Sequence, residues 1–473
     1  MGIPFVIQTI ITTIYAITVV GTILVVISEN RNPIRTLAWV LVLVFVPAVG
    51  ILFFYFFGQD NRKKKSISSH YKQTDKKINI RDSSKDVTSL HQIYDTIKLA
   101  SLLERNNDSV LLRGSEVEII TDGHRKFDLL LHDIEEAKHH IHIQYFLFAN
   151  DETGCKIKDA LMKKASEGVE VRFLYDNVAN IKVPSRFYNE MRLSGVRVVP
   201  FMNVSMPWFK SRMNYRNHRK VVVIDGNIGY VGGMNIGNNY FLDLNWRDTH
   251  LHITGKGVYG LQHSFLADWY TSNEERLHDD ILYYPPCEEK TDNLLQIATC
   301  GPNTAWSNLL QAAINIAITA RNYLYIQTPY FLPTDSLVEA LQIAALSGVD
   351  VRLMVSRKSD SSYIDPGARS YYSGLLRAGM RIYEHQTKFI HAKTMVSDDF
   401  LSVIGSANMD FRSFESNFEI NCYLYDRNLA EQNKQIFLND MLECKEIILD
   451  IWEQRSWWPR LKESVTRLFA PLM

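Results

Sequence analysis

A chain that repeats itself has to satisfy both copies with one architecture, and this chain repeats itself. The densest stretch of the repeat is His218-x-Lys220, then Asp225 after four intervening residues; the second copy is His391-x-Lys393, then Asp398 at the same spacing. Each copy continues to a pair of small residues, Gly232-Gly233 and Gly405-Ser406, with an asparagine two positions beyond the pair, Asn235 and Asn408. A lone His-x-Lys carries no information. Here the likeness reaches far outside the motif: 137–144 matches 320–327, 167–172 matches 347–352, and 194–198 matches 378–382. Helical stretches such as 155–166 and 336–346 alternate with β-branched runs such as 169–174 and 349–355, the pattern of α/β units. Two α/β lobes related by a pseudo-twofold are therefore expected, over 108–290 and 291–473.

Within each lobe the motif reads as strand, tight turn and strand. Val221-Val222-Val223-Ile224 leads into Asp225-Gly226, a hairpin signal, and then Ile228-Gly229-Tyr230-Val231. Side chains alternate along a strand, so His218 and Lys220 are expected on one face, as are His391 and Lys393. A twofold would bring both pairs to one cleft. A phosphodiester resists attack because it is anionic, and its transfer needs a nucleophile, an acid for the leaving alkoxide and cations around the phosphoryl oxygens. The duplicated set supplies all three without a metal or cofactor.

The N-terminus carries two uncharged runs, 3–28 and 36–58, each longer than the ~20 apolar residues that cross a bilayer. The first lacks the basic leader of a cleaved signal peptide. A transmembrane helical hairpin over 1–58 is expected, with Pro47 and Gly50 leaving a kinked or re-entrant second run open. Arg62, Lys63, Lys64, Lys65, Lys72, Lys76 and Lys77 follow it, which places 59–107, a polar linker with one helix near 90–104, and the lobes beyond it on the cytoplasmic side of the membrane. The same cluster suits anionic headgroups. Lys plus Arg equals Asp plus Glu, 52 each, so no overall positive field invites nucleic acid. The five cysteines lack C-x-x-C spacing, which argues against a zinc site or a disulfide framework.

The duplicated motif resembles the HKD motif of the phospholipase D superfamily, and with the N-terminal runs the chain is similar to the bacterial cardiolipin synthases of that superfamily. The resemblance takes in Arg31-Asn32-Pro33 through Gly58, Trp246-Arg247-Asp248, Thr328-Pro329-Tyr330-Phe331 and Asn417-Phe418-Glu419. It implies transfer of a phosphatidyl group from one phosphatidylglycerol to another through a phosphohistidine, giving cardiolipin and glycerol, with membrane phospholipid as the partner. It also implies His218 as nucleophile and His391 as acid/base. Lys220 and Lys393 would hold the phosphoryl oxygens, Asn235 and Asn408 would donate to them, and Asp248 and Glu419 would fix the imidazole tautomers. Gly233 would permit close approach of substrate, and Ser406 would add a hydroxyl. Asp225 and Asp398 complete the motif, but at hairpin turns an aspartate most often bonds local backbone. The rival readings are a hydrolytic phospholipase D, a transferase with another alcohol or phospholipid acceptor, and a catalytically idle scaffold.

Four further features call for a reading. Gly255-x-Gly257-x-x-Gly260 formally matches a dinucleotide fingerprint, but nothing else in the chain supports one. His139, His140 and His142 invite a metal, yet their counterparts Asn322, Tyr323 and Tyr325 extend no ligand set, which favours strand packing. An insert before His218 (Met206, Trp208, Phe209, Lys210, Arg212) and the C-terminus (Trp452, Arg455, Trp457, Trp458, Arg460, Lys462, Arg467) mix aromatic and basic residues. Each suits either a lipid interface or ordinary loop and core packing.

Overall fold

The computed structural model describes residues 3–28, 33–46, 50–51, 54, 94–201, 215–241, 245–277, 281–361 and 364–469. The basic cluster after the second apolar run and the aromatic-basic insert before His218 lie outside the described residues. The described residues fall into two compact units: the N-terminal helices, and everything from Tyr94 onward.

In the first unit one helix covers Ile3–Ser28, and its stretch Gln8–Val26 is long and apolar enough to cross a membrane. The hydroxyls of Thr12, Thr13, Thr18 and Thr22 each donate to the carbonyl four residues back, at 2.8–2.9 Å, so these four polar groups are satisfied within the helix. The second apolar run gives a shorter helix, Pro33–Phe45, whose 13 residues fall below the length of a span. Val26, Leu43 and Phe54 pack together between these segments.

The second unit is built on two sheets with the same strand order. Among the described residues the first runs Glu116–Ile120, His250–Thr254, Ile228–Gly232, Val221–Ile224, His140–Tyr145, Glu170–Asp176, Arg197–Phe201. The second repeats it as Leu294–Cys300, Glu419–Tyr425, Leu401–Gly405, Thr394–Ser397, Tyr323–Gln327, Asp350–Ser356, Arg381–His385, with Leu112–Arg113 and Cys444–Glu446 added at its edges. In both, the three strands beside the motif hairpin are parallel to one another and antiparallel to the hairpin's first strand. Buried β-branched residues of the hairpins and their neighbours, Val221, Val223 and Ile253 from one sheet and Ile297, Ile404 and Ile420 from the other, share one core. Each such side chain contributes about 1.5–3 kcal/mol by leaving water.

The glycines of the apparent dinucleotide fingerprint belong to this packing. Helix Val258–Asn273 lies against the second sheet, and a Cβ on Gly257 or Gly260 would meet Leu295 or Ile297 at 2.7 Å. The end of the expected linker is also structural. Helix Tyr94–Asn107 buries Leu99 and Leu103 in the second lobe's core, and the Asn107 side chain both donates to the Thr299 carbonyl (2.9 Å) and accepts from its N–H (2.7 Å).

Candidate active site

The two motif histidines precede their strands rather than sitting in them, since the strands begin at Val221 and Thr394. The expectation that His218 and Lys220 project from one strand face is corrected accordingly. Each lead-in is held from both sides instead. The N–H before each histidine is bound by its own lobe: Asn217 donates to the Asp176 carboxylate (2.9 Å), and Ile390 donates to the Ser356 hydroxyl (2.7 Å). The N–H of each histidine is bound by the other lobe, His218 donating to the Phe418 carbonyl (2.9 Å) and His391 to that of Arg247 (2.7 Å).

This exchange of strands sets the chemistry. Asp248 and Glu419 each come one residue after the carbonyl that holds the other lobe's histidine, so their carboxylates cross over. His218 Nδ1 lies 2.9 Å from Glu419 Oε2, and His391 Nδ1 lies 2.6 Å from Asp248 Oδ2. The imidazoles and carboxylates are nearly or wholly excluded from water. Burial pushes the His218 ring down to about 4 and the His391 ring to about 3, against the pull of their carboxylates. Asp248 and Glu419 sit below the usual carboxylate range: burial raises them, and the neighbouring lysines and histidines more than offset it. Near neutrality each ring is then neutral, with Nδ1–H donated to a carboxylate and the Nε2 lone pair available. A neutral imidazole fixed in that tautomer can attack phosphorus or move a proton.

Lys220 and Lys393 fold back so that each Nζ donates to the carbonyl of its own motif histidine. Burial lowers both, Lys393 to about 8, and the charge of each acts on the histidines of both lobes. Aromatic rings wall the histidines: Phe146 stands 4.7 Å from His218, and Trp246, Tyr240 and Phe389 lie 5.2–5.7 Å from His391. Asn235 spends its amide on Tyr240 (2.7 Å) and accepts from Leu147 N–H, whereas the buried carbonyl oxygen of Asn408 has no hydrogen-bond partner among the described residues.

Gly233 and Ser406 serve the carboxylates. A Cβ at Gly233 would stand 2.1 Å from the Asp248 carboxylate, so glycine there makes room for Asp248. Ser406 Oγ donates to Glu419 (2.5 Å) and accepts from the Ile420 N–H (3.0 Å), which occupies its hydroxyl. Asp225 and Asp398 stand in the hairpin turns at φ of 50° and 54°. Asp225 accepts the backbone N–H groups of Lys138, His139 and His140 at 2.7–2.9 Å, and Asp398 those of Arg321, Asn322 and Tyr323 at 2.8–3.1 Å. Their carboxylates tie each turn to the neighbouring strand and are fully engaged there.

Two arginines escaped the sequence reading. Arg219 pairs with Asp268 (2.7 Å) and donates to the carbonyls of Glu419 and Cys300 (3.1 Å each), while Arg247 reaches Asp440 (3.1 Å) and donates to the Asp248 carbonyl (2.6 Å). Gln144 and Gln327 complete the two clusters on Asp268 and Asp440. The repeat does align these glutamines; nothing in it pointed to the arginines, which both belong to the first lobe and face Ala392 and Phe418 in the alignment. His140 and His142 are buried against Tyr283 and Phe265 and share Gln262, as strand packing requires.

A buried histidine pair, each ring backed by a carboxylate from the other half of the repeat, is an arrangement suited to phosphodiester transfer, on an α/β fold of the phospholipase D type. Residues 130–269 and 313–441 match the family described as "Cardiolipin synthase, PLD-like domain", and 14–59 match the family described as "Phospholipase D-nuclease N-terminal". The chain is 39% identical to the major cardiolipin synthase ClsA of Bacillus subtilis (strain 168), over 95% of this chain and 96% of that one. It is 37% identical to a cardiolipin synthase of Listeria monocytogenes serotype 4b over 94% and 95% of the two chains. The phosphatidylserine synthase structure from Haemophilus influenzae Rd KW20 superposes with a TM-score of 0.58 at 15% identity, covering 79% of this chain and 98% of that one, and shares the fold. The chain belongs to the cardiolipin synthase family of the phospholipase D superfamily. It is accordingly a phosphatidyltransferase of phospholipid synthesis.

Proposed function

We propose that the chain joins two phosphatidylglycerol molecules, releasing glycerol, with one motif histidine as nucleophile and the other as acid/base. The observation that carries this reading is the reciprocal pairing of His218 with Glu419 and His391 with Asp248. In the first half-reaction the bound phosphodiester anion favours the cationic form of His391, which takes up a proton from water at Nε2; His218 Nε2 then attacks phosphorus as the P–O bond to glycerol breaks, and His391 delivers that proton to the glycerol oxygen. The phosphohistidine ring is cationic, and Glu419 offsets its charge. In the second, His391 takes the proton from the hydroxyl of another phosphatidylglycerol, whose oxygen displaces His218. Lys220 and Lys393 regain full charge beside the phosphoryl oxygens once the anion is bound. Asn408 would donate its amide N–H to the same oxygens, while Asp225, Asp398, Gly233 and Ser406 support the scaffold and the carboxylates.

The repeated strand order supports two lobes, near 108–290 and 291–473, about a pseudo-twofold. Helix Ile3–Ser28 spans the cytoplasmic membrane, the second apolar run returns through it or re-enters it, and the lobes face the cytoplasm. Headgroup-labelled and acyl-labelled phosphatidylglycerol, supplied to purified protein, tests the reading. Cardiolipin and free glycerol are expected; with an acyl-labelled phosphatidyl donor whose leaving group needs no proton, acid-labile label should be retained by the His391→Ala protein and absent from His218→Ala. Phosphatidic acid as the sole product would replace transfer by hydrolysis, and label on His218→Ala would exchange the two roles.

A further inference from the structure

The C-terminal helix Trp457–Arg467 sits on the protein the wrong way round for a core helix. Its inward contacts are polar: Glu463 is buried and bound twice by Arg455 (2.7 and 3.1 Å), and Arg467 lies over the Tyr371 ring at 4.4 Å. Thr466 rests against Gly367, where the absent side chain lets helix Ile364–Arg377 come close. The apolar residues point outward. Trp457, Trp458, Leu461 and Val465 are 62, 63, 43 and 47% exposed, and Leu468 at the helix end is 76% exposed. At 3.6 residues per turn these positions form one stripe, bordered by Lys462 on one side and Arg460 on the other. An apolar helical face of this length on a folded surface marks a contact with something else.

We propose that this face lies in the headgroup region of an anionic phospholipid bilayer, with the two tryptophans and Leu461, Val465 and Leu468 immersed and Arg460 and Lys462 at phosphate level. Charge complementarity selects this occupant. The helix's one acidic residue, Glu463, is turned inward and neutralised by Arg455, so its outward charges are all positive. A second copy docked by the same face would set those cations against their like, whereas an anionic lipid surface neutralises them. Large aromatic rings and basic side chains flanking an apolar stripe are the composition of a helix lying in the interface. The helix it rests on follows strand Asp350–Ser356, whose Ser356 holds the lead-in to His391. A docked stripe would thus fix this end of the second lobe at the surface that holds the substrates, independently of the N-terminal anchor. The proposal extends the functional reading but does not depend on its chemistry.

The test uses the full chain in vesicles of phosphatidylcholine and phosphatidylglycerol, with Cys155, Cys287 and Cys444 replaced by serine and nitroxides placed by Leu461→Cys or Leu468→Cys. Leu193→Cys, on an exposed helix end of the first lobe, is the aqueous control. At positions 461 and 468 collision with oxygen is expected to exceed collision with a nickel chelate, and at 193 the reverse. Arg460→Gln and Lys462→Gln should each lower the ratio of immersed to undocked helix about fivefold. Nickel access at 461 and 468 equal to that at 193 overturns the proposal, and so does dipolar broadening between labels, which would assign the face to a second copy. Should the labelled variants fail to fold, acyl-brominated lipids decide: they should quench the native chain more than the Trp457→Phe/Trp458→Phe chain, and equal quenching overturns the proposal. Because these readouts measure depth, their failure leaves the catalytic reading standing.

Discussion

Replacing Glu419 by glutamine keeps the shape of the His218 partner and removes its charge. Its oxygens accept from His218 Nδ1 at 2.9 Å, from Ser406 at 2.5 Å and from Asn417 at 3.3 Å. With the glutamine amide nitrogen on the Asn417 side, only the long 3.3 Å bond from the Asn417 amide is lost, and the carbonyl remains for His218 and Ser406. The ring therefore stays oriented. What disappears is the attraction between the carboxylate and the cationic ring that forms when Nε2 bonds phosphorus. For unit charges about 4 Å apart at an effective dielectric near 20 that attraction is about 4 kcal/mol, and a charged hydrogen bond alone is worth about 1.5–3 kcal/mol. A loss of about 10²–10³ in kcat follows, with KM little changed because the neutral ground-state ring gains little from the charge. Initial rates on labelled phosphatidylglycerol in mixed micelles measure both constants. The acid limb of the rate profile should also move to lower pH, because burial lowers the ring and Glu419 opposes that. Asp248→Asn should produce a comparable loss through His391, smaller with a phosphatidyl donor whose leaving group needs no proton. A folded Glu419→Gln enzyme within about threefold of wild type in kcat, or impaired in KM alone, would sink the reasoning.

Three other outcomes are expected. Asp225→Ala strands three backbone N–H groups and should cost about 2–4 kcal/mol of stability in denaturant titration, with kcat per folded molecule within about threefold; a stable protein with no activity would return Asp225 to the catalytic set. Arg247→Met leaves the half-buried Asp440 carboxylate with Gln327 and should cost about 1.5–3 kcal/mol, more than any exposed arginine; an unchanged melting temperature would show that the pair contributes nothing. The two motif rings stay neutral in the fold while the unfolded chain's histidines take up protons below about pH 6.5. Their depressed pKa values thus make stability full above that pH and erode it toward pH 4, by about 1.4 kcal/mol per unit for each ring, and melting that is flat between about pH 7 and pH 5 would refute the burial argument.

What was legible in the sequence was what the repeat duplicates within each lobe. The Val221–Ile224 hairpin, the Asp225 turn and the matched strands are local or adjacent in order, and alternation and turn chemistry mark them. The crossing of the carboxylates was not legible. Asp248 follows His218 at much the same distance as Glu419 follows His391, so spacing suggests a partner within each lobe, and only the pairing of Phe389–Ile390 with Trp246–Arg247 sends Asp248 to His391. Ser406 read as a substrate hydroxyl because a serine beside a motif says nothing of which acceptor it meets. Helix Tyr94–Asn107 read as connector because its two buried leucines are few, and the surface they cover is made by residues two hundred positions away.

Each lobe holds a histidine without its carboxylate and a carboxylate without its histidine. A half-length chain carrying one motif would therefore be an unfinished catalyst, obliged to find a second copy facing it before either imidazole had a defined tautomer. Joining the halves in one polypeptide fixes their stoichiometry and frees the copies to differ, as Arg219 opposite Ala392 and Arg247 opposite Phe418 already do. One side of the cleft can then specialise for the lipid that gives up its phosphatidyl group and the other for the lipid that receives it, a division of labour closed to a symmetric pair of identical chains.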